Sequence, residues 1–198
     1  MKILFVRHGE TNANKQGISQ GQGVNESLNK QGKIQAKKLA LRLKKEKFDI
    51  AYTSDLKRAK ETADEIMTFH KKVKLIVTKA LREKHHGLME GKPHLENKRI
   101  LEGKDFLTFK AGGESIQETQ ERALRFFHEI WKKNKNKTVL LVSHGAIFSL
   151  FILSLFNKPF TREEYIKYGT LNASVSVLEI KEDKNHVMRL FNCTKHLD

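Results

Sequence analysis

The most informative part of the sequence is K-I-L-F-V-R-H-G-E-T-N-A-N, Lys2 to Asn14. Its apolar part, Ile3 to Val6, is short and rich in branched and aromatic residues, which is typical of a parallel strand buried on both faces, and Gly9 ends it with a turn. Arg7 and His8 therefore lie at the carboxyl end of a strand. Open α/β sheets bind ligands at that edge, so a cation beside an imidazole there indicates an anion site containing a nucleophile.

The same pattern returns far downstream. Thr138 to Val142 reads T-V-L-L-V, runs into Ser143-His144-Gly145, and is followed by an apolar helical segment, Ala146 to Phe156. If the two strands are parallel neighbours, His8 and His144 emerge at one edge of the sheet and face one substrate. The whole run from 138 to 156 is about long enough to cross a bilayer, but the Ser-His-Gly break favours a strand that feeds a buried helix over a membrane span.

Length and composition indicate one domain, residues 1–198, that is large enough to form a core without metal or disulfide. The single cysteine, Cys193, cannot form an internal disulfide, which agrees with a reducing compartment. The first apolar run is too short for a secretory signal. We therefore expect a cytoplasmic protein that does not bind membranes.

The chain is basic, with 38 Lys plus Arg against 23 Asp plus Glu and a net charge of +15. The lysines are scattered over every predicted helix and loop, and no aromatic residues interleave them as a nucleic-acid stacking surface would require. Solvated helix faces explain this pattern, so no nucleic-acid partner is expected. The excess charge should raise the encounter rate with phosphorylated substrates.

Periodicity and capping signals predict the remaining elements in order. These are a helix over 30–45 capped by Asn29, a strand over 50–53, a helix capped by Ser54-Asp55 that carries Arg58, a strand over 73–78, a helix over 116–133 opened by Ser115 and Glu118, a short helix from Thr161 to Tyr168, and two strands over 174–180 and 187–191 joined as a hairpin. This order predicts a three-layer α/β/α sandwich with a mostly parallel sheet, an antiparallel edge hairpin, and a lid insertion at about 84–114.

Five motifs carry a resemblance to a known family. They are R-H-G-E-T with Asn14, T-S-D-L-K-R-A-K-E-T-A, L-R-E-K-H-H-G-L-M-E-G, G-G-E-S and V-S-H-G-A. In this order, over nearly the whole chain, they resemble the histidine phosphatase superfamily, the phosphoglycerate-mutase-like proteins. The resemblance implies a phosphatase that hydrolyses small phosphomonoesters, without a cofactor or a metal, through a phosphohistidine intermediate.

The resemblance also implies roles for individual residues. Glu83, in the E-x-x-x-G pattern, would be the proton donor to the leaving group, and Asn14 would touch the phosphoryl oxygens together with a pocket shaped by Gln20 and Gly21. The family often has an arginine or an aromatic residue where Lys84 and His86 stand. That departure bears on the substrate preference.

Phosphoryl transfer needs cations around the non-bridging oxygens, an in-line nucleophile and an acid for the leaving oxygen. Arg7, Arg58 and His144 would clamp the phosphoryl group while neutral His8 attacks phosphorus. Nearby guanidinium charge should help to keep His8 unprotonated.

Three other functions are compatible with the sequence. The sequence also leaves open whether the protein forms a homodimer. A phosphoglycerate mutase-type transfer uses the same phosphohistidine, but only about thirty residues separate Glu83 from Glu114, a gap closer to the phosphatase branch. A metal site is disfavoured because Arg7 repels a cation from His8 and no metal-ligand spacing is present. A basic anion- or nucleic-acid-binding module with a dead site would be expected to lack one of the catalytic residues, and none is missing.

Overall fold

The computed structural model of the protein describes residues 1–198. The strands are β1 (Lys2–Arg7), β2 (Ile50–Ser54), β3 (Lys74–Thr78), β4 (Thr138–Ser143), β5 (Val175–Glu179) and β6 (Val187–Cys193). The helices are α1 (Asn12–Lys15), α2 (Lys30–Leu43), α3 (Lys57–Met67), α4 (His94–Ile100), α5 (Ile116–Lys133), α6 (Gly145–Leu155) and α7 (Arg162–Lys167). One sheet has the order β3-β2-β4-β1-β5-β6. Its first four strands are parallel, and β5 and β6 form an antiparallel hairpin at the edge, as predicted.

Helices cover both faces of this sheet, because each central strand presents alternate residues to opposite sides. Phe5 and Leu141 belong to a core cluster with α5 and α6, whereas Leu4 and Val142 belong to a second cluster with α2 and α3. All four side chains are at most 1% exposed. The predicted three-layer α/β/α sandwich is therefore confirmed.

Most predicted helix caps are also confirmed. Ser115 and Glu118 form a reciprocal capping box at α5, and the side chain of Asn29 accepts the amide of Gly32 at the start of α2. Thr161 caps α7 in the same manner as Asn29 caps α2. Each such bond satisfies an amide that has no partner within the helix.

The cap predicted for α3 is wrong. The residue that precedes this helix is Leu56, which makes no side-chain cap bond. Asp55 instead accepts two hydrogen bonds from Arg82, at 2.7 and 2.6 Å. A bidentate arginine is a stronger partner for a carboxylate than a single helix amide, so the ion pair takes the side chain away from the cap.

The segment over 84–114, which the sequence predicts to be a lid insertion, contains the helix α4, and its weak periodicity did not predict this helix. Only Asn97 of this helix is buried, and its amide donates to the hydroxyl of Ser19 at 2.7 Å and the carbonyl of Met89 at 2.9 Å. A polar anchor of this kind leaves no hydrophobic stripe in the sequence, so the pattern could not reveal the helix.

The apolar segment after β4 forms α6, which has 11 residues and is largely buried. No helix of the protein is long and apolar enough to cross a membrane.

Candidate active site

The two histidines meet at the carboxyl edge of the sheet. β1 and β4 pair in parallel with Arg7 opposite Ser143, so the next residue of each strand leaves the sheet at the same level. The amide of His8 donates to the carbonyl of Ser143 at 3.1 Å, and the imidazole centres of His8 and His144 are 5.1 Å apart. Both side chains are buried, at 2% and 0% exposure.

The surroundings of His8 define its protonation. Its Nδ1 lies 2.7 Å from the carbonyl oxygen of Gly9, which can only accept, so Nδ1 carries the proton. Nε2 then presents a lone pair, and it accepts a hydrogen bond from Nε of Arg58 at 3.3 Å. Burial, followed by the charges of Arg58 and Arg7, holds the pKa of His8 well below its usual range. His8 is therefore a neutral imidazole whose lone pair lies on Nε2, and the sequence predicts such an unprotonated ring.

Arg58 lies in the first turn of α3 and is 1% exposed. Its Nη2 donates to the carbonyl of Gly21 at 2.8 Å and its Nη1 to that of Val24 at 3.2 Å. Thr62, one turn later, bonds the carbonyl of Arg58 at 2.7 Å and accepts the amide of Gly9 at 3.0 Å. Burial lowers the pKa of Arg58 to about 10, so the guanidinium keeps its charge at neutral pH.

Arg7 brings a second guanidinium to the site. Its Nη1 donates to the carbonyl of Thr170, while its Nε is buried without a protein partner. Burial lowers the pKa of Arg7, and the charge of Glu83 acts in the opposite direction. One face of this cation is therefore fixed by the protein, and Nε remains a donor for an anion.

His144 stands at the start of α6, and neither of its ring nitrogens has a hydrogen-bond partner in the protein. Burial, followed by the charges of Arg58 and Arg7, holds the pKa of His144 well below its usual range. The ring is therefore neutral in the free site and offers one N–H donor and one lone pair. A dianionic phosphoryl group would favour the protonated form.

Glu83 reaches the other side of the site. One carboxylate oxygen accepts the amide of Lys84 at 2.8 Å, and the other lies 3.4 Å from the amide of Ala146 in the first turn of α6. Its backbone is held by Arg122, whose Nη2 donates to the carbonyl of Glu83 at 3.2 Å. The carboxylate of Glu83 thus faces the first turn of α6, the helix that begins directly after His144.

Asn14 lies behind His8. Its Oδ1 accepts from Nδ2 of Asn172 at 3.1 Å, and the same Nδ2 lies 3.1 Å from the carbonyl oxygen of His8. Asn14 also closes a capping box with Thr11. Since these bonds occupy its oxygen, the amide group of Asn14 can contribute N–H donors to a neighbouring anion.

Gln20 and Gly21 form the loop that faces Arg58. Gly21 has a φ of +53°, and a Cβ at this position would lie 1.9 Å from a carboxylate oxygen of Glu90, so only glycine fits. Gln20 is 7% exposed, and its Oε1 has no protein partner. The loop is held against the site, with Gln20 available to a ligand.

Several site residues were not found from the sequence. They are the supporting residues Thr62, Asn172 and Arg122, Thr170, whose carbonyl accepts a hydrogen bond from Arg7, and Tyr165 of α7. Burial raises the pKa of the Tyr165 phenol, and the charges of Glu83 and Arg7 also act on that phenol. None of these belongs to a strand-end motif, and only three-dimensional proximity reveals them.

Two other features of the molecule bear on the site. No group of three or more His, Cys, Asp or Glu side chains comes together as a metal site would require. A groove of about 680 Å³ between α5 and the start of β2 contains none of the candidate histidines. The candidate active site is therefore identified by its histidines, arginines and Glu83, and not by the size of a cavity.

Comparisons with known proteins identify the family of this chain. The sequence model of the histidine phosphatase superfamily (branch 1) matches residues 3–193. Phosphoserine phosphatase 1 of Hydrogenobacter thermophilus is 33% identical over 205 residues, which cover 100% of this chain and 94% of the relative. A probable phosphatase of Schizosaccharomyces pombe is 30% identical over 204 residues, or 100% of this chain and 96% of the relative.

A solved structure gives the same result. Phosphoserine phosphatase of Entamoeba histolytica, in complex with 3-phosphoglyceric acid, superposes with a TM-score of 0.84 at 31% identity and covers 99% of this chain and 98% of its own. The chain therefore belongs to the histidine phosphatase superfamily, as a phosphatase that hydrolyses phosphomonoesters.

Proposed function

We propose that the enzyme transfers the phosphoryl group of a small phosphomonoester to Nε2 of His8 and then to water. The observation that carries this is the orientation of His8, whose Nδ1–H bonds the carbonyl of Gly9 at 2.7 Å. This bond fixes the tautomer, so that the nucleophilic lone pair lies on Nε2 beside Arg58. A neutral imidazole among cations can attack phosphorus without first losing a proton.

The phosphoryl oxygens would be held by donors around His8. Arg7 contributes its unpartnered Nε, Arg58 its guanidinium, and His144 a ring N–H. The amides of Asn14 and Gln20 would complete the pocket, with Gly21 keeping its backbone close. Such an arrangement stabilises the charge of the loose transition state without a metal ion.

Glu83 would act first as the general acid and then as the general base. In the first step its carboxyl group protonates the leaving oxygen as the P–O bond breaks, and in the second the resulting carboxylate takes a proton from the water that attacks the phosphohistidine. The amides of Lys84 and Ala146 orient its two oxygens. After the second step His8 is free again and Glu83 is protonated again, so the enzyme is ready for the next turnover.

A phosphohistidine trap tests this proposal. The enzyme is mixed briefly with a 32P-labelled phosphomonoester and quenched in alkali, and the acid-labile label is mapped by peptide analysis. Label on His8 is expected in the wild type and in His144→Ala, at reduced yield, and none in His8→Ala. Label in His8→Ala but not in His144→Ala would reverse the two roles.

The mutase alternative is separated by the product. With a substrate that carries a second hydroxyl, a mutase returns the phosphoryl group to that hydroxyl, whereas a phosphatase releases it as inorganic phosphate. We expect inorganic phosphate and alcohol in equal amounts, with no positional isomer. The short spacing from Glu83 to Glu114 supports this expectation.

The proposal extends to partners and location. We expect a small phosphorylated substrate as the ligand, with no nucleic-acid or membrane partner, because lysines scattered over the surface do not form a binding stripe. We expect a cytoplasmic enzyme, which agrees with a single free cysteine. A homodimer stays open, and light scattering of the purified chain decides it.

A further inference from the structure

Arg58 is held by carbonyl groups and not by a carboxylate. Its Nη2 donates to the carbonyl of Gly21 at 2.8 Å and its Nη1 to that of Val24 at 3.2 Å. A carbonyl orients a guanidinium group without neutralising its charge, so Arg58 stays free to attract a phosphoryl group. Its position beside Nε2 of His8 then depends on the loop that supplies these carbonyls, residues 20–24.

Glu90 holds this 20–24 loop in place. Its Oε1 accepts the backbone amide of Gln22 at 2.9 Å, and its Oε2 accepts that of Gly23 at 2.7 Å. Oε1 also accepts the amide of His86 at 2.9 Å, which ties the loop to the segment that follows Glu83. One carboxylate thus satisfies three backbone amides from two parts of the chain, and its side chain is only 10% exposed.

The glycines of the loop show how closely this carboxylate is packed. A Cβ atom at Gly21 or at Gly23 would collide with the carboxylate of Glu90. Three N–H donors converge on its two oxygens, an arrangement that requires a group with acceptors only. A neutral amide has one acceptor oxygen, so glutamine at position 90 would leave at least one of these N–H groups facing another donor.

We propose that Glu90 is a positioning residue that keeps Arg58 in place beside His8 through the 20–24 loop. The inference rests on the proposed function, because the phosphoryl group is what Arg58 would bind. When the carboxylate is changed, the carbonyl of Gly21 shifts, and the guanidinium that bonds to it shifts as well. A displacement of about 1 Å in a group that orients the substrate can cost about 100-fold in rate.

The fold should survive a change at Glu90, because other bonds hold the two ends of the loop. The amide of Ser19 donates to the carbonyl of Lys92 at 3.0 Å, and Oδ1 of Asn25 accepts the amide of Lys57 at 2.8 Å. The structural consequence should therefore be local and should be seen in the activity.

A double-mutant cycle with Arg58 tests the role of Glu90. The substrate is p-nitrophenyl phosphate, whose leaving group needs little help from an acid, so kcat/KM reports on the phosphoryl site. Glu90→Gln should lower kcat/KM by about 10- to 100-fold in the wild-type background. In Arg58→Met, where no guanidinium is left to misplace, the further loss should be less than about twofold. A residue that only stabilises the fold would lower kcat/KM by the same factor in both backgrounds, and that result overturns the proposal.

A second variant perturbs the same contact from the loop. Gly23→Ala places a methyl group against Oε2 and displaces the carboxylate without changing Glu90 or Arg58. It should lower kcat/KM as Glu90→Gln does, and again only while Arg58 is present. If Glu90→Gln does not fold, Gly23→Ala decides by the same cycle, and equal losses in both backgrounds again overturn the proposal.

Glu61→Gln is the matched control. Glu61 lies on α3 with Arg58, and its Oε2 accepts a single loop amide, that of Leu28, at 2.9 Å. Since Leu28 supplies no carbonyl to Arg58, kcat/KM should stay within about twofold of the wild type. A loss as large as that of Glu90→Gln would show that any such change beside α3 is harmful, which overturns the specific role of Glu90.

Failure of the proposed function gives a different result. A protein that hydrolyses neither p-nitrophenyl phosphate nor an alkyl phosphate contradicts the proposed function itself. Titration calorimetry with inorganic phosphate then decides the role of Glu90, because this anion would bind at Arg58 without turnover. Glu90→Gln should weaken phosphate binding by about 10-fold, whereas equal affinities, or no binding to the wild type, would overturn that role.

Discussion

Replacing Arg122 by methionine should lower both the stability of the protein and the activity of the candidate site, although Arg122 belongs to a supporting helix. Arg122 lies on α5, and its guanidinium donates to the carbonyls of Ala80 and Arg82 at 2.9 Å each and to that of Glu83 at 3.2 Å. It also forms a bidentate pair with Glu114 at 2.8 Å. One side chain therefore fixes the segment that delivers Glu83.

The magnitude follows from these contacts. Breaking a buried ion pair costs about 3–5 kcal/mol, because the remaining charge is left without a partner. The side chains of Arg122 and Glu114 are 18% and 22% exposed, so water can reach Glu114 and the cost is smaller. Three carbonyls also lose a donor, each worth about 1 kcal/mol. We expect a loss of about 4–6 kcal/mol in the free energy of unfolding.

Urea titration and steady-state kinetics measure the two consequences. The urea midpoint should fall with an unchanged m-value. The kcat for an alkyl phosphate should fall more than the kcat for an activated aryl phosphate, because a displaced Glu83 protonates the leaving oxygen poorly and only the alkyl leaving group needs that proton. Arg125→Met is the control on the same helix. Arg125 is 70% exposed and lies 3.9 Å from Glu121, so its loss should cost less than about 0.5 kcal/mol. Equal effects of the two substitutions would refute the assigned role of Arg122.

Three further predictions concern the chemistry. Glu83→Gln should slow hydrolysis of an alkyl phosphate by about 100- to 10,000-fold and that of an aryl phosphate with an acidic phenol much less, and equal losses of kcat would assign Glu83 to positioning instead. The free energy of unfolding should fall as the pH drops below about 6.5, because unfolded His8 and His144 then bind protons that the folded rings, with lowered pKa values, do not. Each histidine contributes up to about 1.4 kcal/mol per pH unit, so in His144→Gln the free energy of unfolding should change less steeply with pH, and an unchanged slope would contradict a buried neutral His144. Excess chelator should leave kcat for p-nitrophenyl phosphate within about twofold, since arginines supply the charge that magnesium supplies elsewhere, and a loss restored by zinc or magnesium would contradict this.

The sequence predicts those features that depend on local pattern. The buried runs before His8 and His144 identify two parallel strands, and parallel pairing necessarily brings their carboxyl ends to one edge. The capping box of Ser115 and Glu118 places α5 correctly to the residue. Glu83 follows a third strand, so the same rule brings it to this edge.

Features that depend on partners distant in the chain could not be predicted. Asp55 looks like a helix cap but pairs with Arg82, 27 positions away. Arg122 looks like one more basic residue on an amphipathic helix. Their roles follow from burial and from which carbonyls and carboxylates surround them, and sequence spacing encodes neither.

The unpartnered polar atoms of the protein are concentrated where the substrate would bind. Of seven buried side-chain nitrogen and oxygen atoms without a hydrogen bond, four belong to Arg7, Gln20 and His144. Each unmade bond costs about 1–3 kcal/mol in the folded protein, so the site lowers stability. A phosphoryl group carries only acceptors and can satisfy the donors of Arg7 and His144, whereas Gln20 must turn its amide so that Nε2 faces inward. In the proposed function these donors are in place before the substrate arrives, and the free energy lost in folding would be recovered as selective binding of a phosphoryl group.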